Sequence, residues 1–269
     1  MFRKFSTIIA IFATSLILMA LQKPLFLLWY AERAAEASIA ELAGVSWHGL
    51  LLDATIAGYL TAIPWLLMLI TIFVAIPEKV MRRILNTYFV IISLVVSLLV
   101  ALDMGLFRHW GFRLDATILP YLKTPEEAAA SVTWGDLWPT VLLFIVYAAL
   151  MIFTLHPCAK LYRAESPSPM RRFSGFISML LLGGLLFLAI RGGTDTAPAN
   201  VSKVYFSDNM FLNQAATNPI FSFLSSATRS ELKDSDYRYF TDKECEDIFD
   251  TLQGDSASQQ GNATILNTA

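Results

Sequence analysis

Charge is scarce in this chain. Asp, Glu, Lys and Arg make up 16% of its 269 residues, against about 25% in ordinary soluble domains. Hydrophobic residues reach 55% and the mean hydropathy is +0.54. That balance excludes a disordered chain and argues against a soluble globular domain. Net charge is −2, so no basic field points to nucleic acid. Cysteine is nearly absent: Cys158 and Cys245 allow one bridge at most, and the topology below puts them on opposite sides of a bilayer, so none is expected. His48, His109 and His156 lie far apart. No HExxH, paired cysteines, GxSxG or phosphate-binding loop occurs, so no catalytic residue and no metal ligand is assigned.

What the chain has is long apolar runs. About 20 apolar residues cross a hydrocarbon core of about 30 Å, and five segments qualify. The first is charge-free over residues 5–22 and continues past Lys23 and Pro24 to Tyr30. The others cover residues 49–76, 84–102, 137–155 and 173–190. Each must be a helix, because lipid offers no partner to an open backbone. Arg3 and Lys4 resemble the start of a signal peptide, but the following apolar stretch exceeds the 7–15 residues of such a segment. An uncleaved first helix is expected, with a kink at Pro64 in the second span.

Orientation follows from Lys and Arg in short loops. With the N-terminus cytoplasmic, that side holds Arg3, Lys4, Lys79, Arg82, Arg83, Lys160, Arg163, Arg171 and Arg172; the other holds Arg33, Arg108, Arg113 and Lys123. The expected fold is therefore an all-α, multi-pass bundle of five transmembrane helices over residues 1–191. Residues 192–269, with 5 Lys/Arg against 11 Asp/Glu, form an acidic extracytoplasmic linker region. Its short helices are expected at the interface or beneath an external domain.

Local signals mark several helix starts. Thr124-Pro125-Glu126-Glu127 places a cap, a first-turn proline and two acids in order, and Asn218-Pro219 repeats the cap and proline. Thr241 with Glu244 is a capping box before Cys245, Ile248, Phe249 and Leu252, with Gly254 as the expected stop. Residues 31–42, rich in Ala and Glu, are expected to form an exposed helix.

Ionisable groups near membrane depth are costly and mark candidate sites. The topology gathers Asp53, Asp103, Arg108, Arg113, Asp115 and Arg191 at the outer-leaflet level. Arginine forks two hydrogen bonds onto a phosphate, so one expectation is an anionic phospholipid headgroup as partner. The other is that these charges snorkel or pair among themselves.

Three stretches resemble a known family. They are Arg108-His109-Trp110-Gly111-Phe112-Arg113-Leu114-Asp115 followed by Tyr121-Leu122, Arg191-Gly192-Gly193, and the run from Phe206-Ser207-Asp208-Asn209 through Leu212-Asn213 to Asn218-Pro219-Ile220-Phe221. They are similar to the membrane domain and linker of the lipoteichoic acid synthase-like proteins, the membrane-anchored sulfatase or phosphoglycerol transferase family of the alkaline phosphatase superfamily. The resemblance implies a bacterial plasma-membrane location and linker docking through Asn213, Asn218, Pro219 and Phe221. It also implies that activity resides in a further extracytoplasmic domain, where a divalent cation, manganese in the synthases, assists a threonine nucleophile. That domain is expected beyond Ala269, so no catalytic residue and no cofactor is placed in this chain. A non-enzymatic membrane protein, such as a small transporter or assembly partner, is the alternative.

Overall fold

A computed structural model describes residues 2–119, 121, 134–165, 168–229 and 240–258. The helix start expected at Thr124 and the Ser/Gln/Asn-rich end of the chain lie outside them. Among the described residues every regular element is helical. The chain divides into two compact units, residues 1–227 and 228–269.

Five helices of the first unit are long and apolar enough to cross a membrane: α1 (Phe2–Trp29), α3 (Ile39–Ile70), α4 (Glu78–Trp110), α5 (Trp134–Lys160) and α6 (Pro169–Arg191). A one-turn helix, α2 (Ala31–Ala34), joins the first two. The protein is membrane-embedded by this criterion. At 1.5 Å per residue the 33-residue α4 is about 50 Å long, so its ends project beyond a hydrocarbon core of about 30 Å.

The second span departs from expectation. It begins at Ile39, ten residues before Gly49, because Ser38 and Glu41 form a capping box. The Glu41 amide donates to the Ser38 hydroxyl at 3.3 Å, and the Ser38 amide donates to the Glu41 carboxylate at 2.9 Å. Two backbone donors of the first turn are thus satisfied. The exposed helix expected over residues 31–42 is therefore split between α2 and the first turn of α3. At its far end α3 stops at Ile70 rather than Ile76.

Within the bundle α3 packs against α1 and α6, while α4 lies along α5. Pro64 is buried inside α3. It has no N–H to give the carbonyl of Leu60, one turn earlier. The Tyr88 hydroxyl of α4 donates to that carbonyl instead, at 2.7 Å. Other aromatic side chains tie helices together in the same way: Tyr147 donates to the Leu18 carbonyl at 2.6 Å and Trp65 to the Met179 carbonyl at 3.0 Å. Small residues permit close approach, as where Gly58 leaves room for Ile190.

Beyond α6 the chain turns at Gly192, which adopts the left-handed conformation with φ of +80°. A 3₁₀ turn (Val201–Val204), α7 (Met210–Ala216) and α8 (Pro219–Arg229) follow. Val204, Leu212, Ala215, Ala216, Ile220 and Phe221 are buried in the same apolar core as the bundle. Asn213 braces the entry: its Oδ1 accepts from the amides of Phe206 and Ser207, and its Nδ2 donates to the Ser207 carbonyl at 2.6 Å. The second unit contains α9 (Asp242–Ser258), which starts at the Thr241–Glu244 capping box and runs through Gly254, where a stop was expected.

Candidate functional site

Polar residues converge at the end of the bundle where α1, α4 and α6 finish and α3 begins. Lys23 in α1 is 2% exposed and Asp53 in α3 is fully buried. The Lys23 ammonium donates to both carboxylate oxygens of Asp53, at 2.6 and 2.5 Å. An isolated charge at this burial is prohibitive, so each ion depends on the other. Gly49, one turn before Asp53 on α3, makes the path. A β-carbon there would meet Lys23 Cε at 1.7 Å and the Ala216 carbonyl oxygen at 2.5 Å.

Asn218 completes the group from beyond the last span. Its Oδ1 accepts from the amides of Ile220 and Phe221, capping α8, which directs Nδ2 outward. That Nδ2 donates to Asp53 Oδ1 at 2.9 Å. One side chain thereby starts a helix and reads a carboxylate in the bundle.

A second buried pair lies beside it. Arg113 Nη2 stands 3.1 Å from Asp103 Oδ2, with 2% and 0% side-chain exposure. Asp103 Oδ1 accepts from the Leu114 amide at 2.8 Å, which folds the loop back over the end of α4. The Arg113 guanidinium rests 4.2 Å above the Phe26 ring, a cation–π contact. Its Nε and Nη1 find no hydrogen-bond partner among the described residues. Burial pulls Arg113 below the ordinary guanidinium value, and Asp103 opposes that pull. The Arg113 amide donates to Gln214 Oε1 of α7 at 3.2 Å, and the Ala116 amide to the Ser226 hydroxyl of α8 at 2.8 Å. Phe211 of α7 stacks on Phe26, with centroids 5.8 Å apart. The Asp53 carboxylate, through Asn218, and the loop after α4, through the amides of Arg113 and Ala116, thus hold the segment after α6 to the bundle.

On the outside of this network lies a cleft of about 500 Å³, lined by Trp29, Tyr30, Ala31, Glu32, Arg33 and Arg108. Its volume falls within the range of about 300–1,000 Å³ typical of small-molecule sites. The Tyr30 hydroxyl donates to the Met104 carbonyl, and its ring packs on Phe26 and Phe107. Burial and the neighbouring Asp103 push the Tyr30 phenol up to about 12. Arg33 lies over the Phe107 ring at 5.7 Å. Arg108 is 73% exposed and stands 3.7 Å from Asp136 of α5.

The six charged candidates thus take different places. Asp53, Asp103 and Arg113 are buried in the paired network, and Arg108 lines the cleft. Asp115 caps a 3₁₀ turn (Ala116–Ile118) by accepting from the Thr117 amide at 2.9 Å. Arg191 donates to the carbonyls of Gly193 and Thr196 in its own turn. Of the docking residues, Asn213, Asn218 and Phe221 are buried, and Pro219 opens α8. Lys23, Gly49 and Arg33 are not among the candidates that the sequence offers. Lys23 had a legible signal, a lone charge within an apolar run, whereas the fit of Gly49 to Lys23 exists only in the folded chain.

Among the described residues no group of three or more His, Cys, Asp or Glu is placed to hold a metal ion. Comparison of the chain with protein-family models, with curated proteins and with solved structures gave no match in any of the three.

Proposed function

We propose that this chain is the membrane-anchoring and lipid-presenting part of an enzyme acting at the outer face of a bacterial plasma membrane. The observation that carries the proposal is the buried Asp53–Asn218 contact at 2.9 Å. It fastens the segment after the last span into the bundle, as an anchor needs if it is to hold an attached domain at a set height. The sequence resemblance supplies the chemical class: a sulfatase-like transferase or hydrolase of phosphoglycerol or a related phosphate or sulfate ester. Its divalent cation would sit in a further domain. The basic end of the bundle, with Arg82, Arg163 and Lys160, faces the cytoplasm by the positive-inside rule, so the cleft and the exit segment face outward.

The lipid role falls to the cleft. Trp29 and Tyr30 belong at headgroup depth, and Arg33 and Arg108 offer guanidinium groups to a phosphate. The test is phospholipid retention by the purified chain after reconstitution in nanodiscs. Replacing both Arg33 and Arg108 with Gln is expected to reduce retained lipid several-fold while leaving the thermal transition in place. Equal retention by the double variant would contradict the lipid-presenting role.

A further inference from the structure

The cleft and the exit segment rest on the same two rings. Phe26 and Phe107 are buried and meet edge to face, with centroids 4.8 Å apart. From the cleft, the Tyr30 ring packs 5.0 Å from Phe26 and 5.1 Å from Phe107, and the Arg33 guanidinium lies 5.7 Å from the Phe107 centroid. From the exit segment, Phe211 of α7 stands 5.8 Å from Phe26 and 6.3 Å from Phe107. We infer that the two are coupled through this ring pair: phospholipid in the cleft holds α7 seated on the bundle, and a seated α7 keeps the cleft fit for phospholipid. This rests on the assignment of the cleft as a lipid contact.

A second tie runs through the same ring. The Arg113 guanidinium covers Phe26 at 4.2 Å, while the Arg113 amide donates to Gln214 of α7. Tyr30 is fixed at its far end as well. Its hydroxyl donates to the carbonyl of Met104, next in the chain to Asp103, the carboxylate that pairs with Arg113.

The element with two states is α7. A helix of seven residues is not stable by itself in water, so it depends on its packing. Seated, Phe211 closes one side of the ring pair and holds Phe26 and Phe107 in one arrangement. Lifted, it leaves both rings room to turn, and Tyr30 and Arg33 lose the surface that fixes them in the cleft wall. A phosphate on Arg33 therefore meets a better-formed site when α7 is seated, which is the differential affinity a ligand needs to shift an equilibrium. Linkage makes the effect mutual: the factor by which α7 raises lipid affinity is the factor by which lipid favours the seated helix.

The experiment follows hydrogen exchange of the α7 amides in the full chain, in detergent micelles with and without added phosphatidylglycerol. The lipid is expected to slow exchange by about fivefold, the lower end of the factors typical of linked sites, and to have no such effect in the Arg33→Gln/Arg108→Gln variant. Unchanged exchange in the parent, or equal slowing in that variant, would overturn the coupling. The reverse arm uses Phe211→Ala. Phe211 is not among the residues that line the cleft, yet its loss should speed α7 exchange and lower retained phospholipid by a similar factor. Parental retention in a Phe211→Ala chain with faster α7 exchange would overturn the coupling while leaving the cleft a lipid site. Equal retention by the parent and the Arg33→Gln/Arg108→Gln variant would remove the site itself.

Discussion

Gly49 and Lys23 share one space: a β-carbon on residue 49 would lie 1.7 Å from Lys23 Cε. The missing side chain on α3 is what lets an ammonium from α1 reach Asp53. Gly49→Ala is expected to destabilise the bundle by about 1–3 kcal/mol, the usual cost of overpacking, and Gly49→Val by more. Thermal unfolding in detergent measures both. A Gly49→Ala transition at or above that of the parent would contradict this account, since α-helical propensity alone favours alanine.

The Lys23–Asp53 pair should behave as a unit. Lys23→Met or Asp53→Leu alone leaves one buried ion without its partner, at a cost of about 3–5 kcal/mol. Replacing both with apolar residues is expected to recover most of that loss. A double-mutant cycle on unfolding free energies checks this, and additive losses would refute the pairing.

Asn218 is predicted to tolerate alanine better than aspartate. Aspartate is as good a helix cap as asparagine, so capping alone predicts no penalty. Here the Asn218 amide faces Asp53 at 2.9 Å, and a second carboxylate would repel it inside a buried site. Limited proteolysis of the exit segment should be fastest in Asn218→Asp, then Asn218→Ala, then the parent. If Asn218→Asp matched the parent, the contact with Asp53 would not be holding the segment.

Tyr88 and Pro64 are expected to be coupled through the Leu60 carbonyl. Tyr88→Phe leaves that carbonyl without a donor and should cost about 1–3 kcal/mol. In a Pro64→Ala background the helix amide returns, and the same change should cost less. Unfolding free energies of the four variants test the coupling, which is absent if the two effects simply add.

In the second unit, hydrogen bonds from the Thr241 amide and hydroxyl hold the Glu244 carboxyl below its ordinary value. Because the folded value is the lower one, the cap contributes above the ordinary carboxylate range and is lost as pH falls through the folded value. Titration of Glu244 by NMR should show an upward move in Thr241→Ala. No move would mean that the capping box is not formed in solution.

Much of this architecture could be read without coordinates. The five spans follow from the length and apolarity of their runs, and the cap at Asn218 follows from its proline neighbour. Ser38 and Glu41 form the same kind of signal as Thr241 and Glu244, yet the Ala-rich stretch around them obscured the start of α3. What stayed hidden was partnership. Asp53 and Arg113 were both legible as charges at membrane depth, but Asp53 is 30 residues from Lys23 and 165 from Asn218, and no spacing rule links them. Arg191 and Arg113 look alike in sequence; one bonds its own turn and the other is buried on Phe26, a difference set by tertiary packing.

The most direct test of the account is which face of the membrane carries the exit segment. Single cysteines at Thr194 and Ser168, in a chain with Cys158 and Cys245 replaced by serine, can be probed in intact cells with a membrane-impermeant maleimide. The account predicts labelling at position 194 and protection at position 168 until the membrane is opened. Labelling at 168 with protection at 194 would place the cleft and the Asn218 contact on the cytoplasmic side, and would contradict an anchor for an enzyme of the outer face.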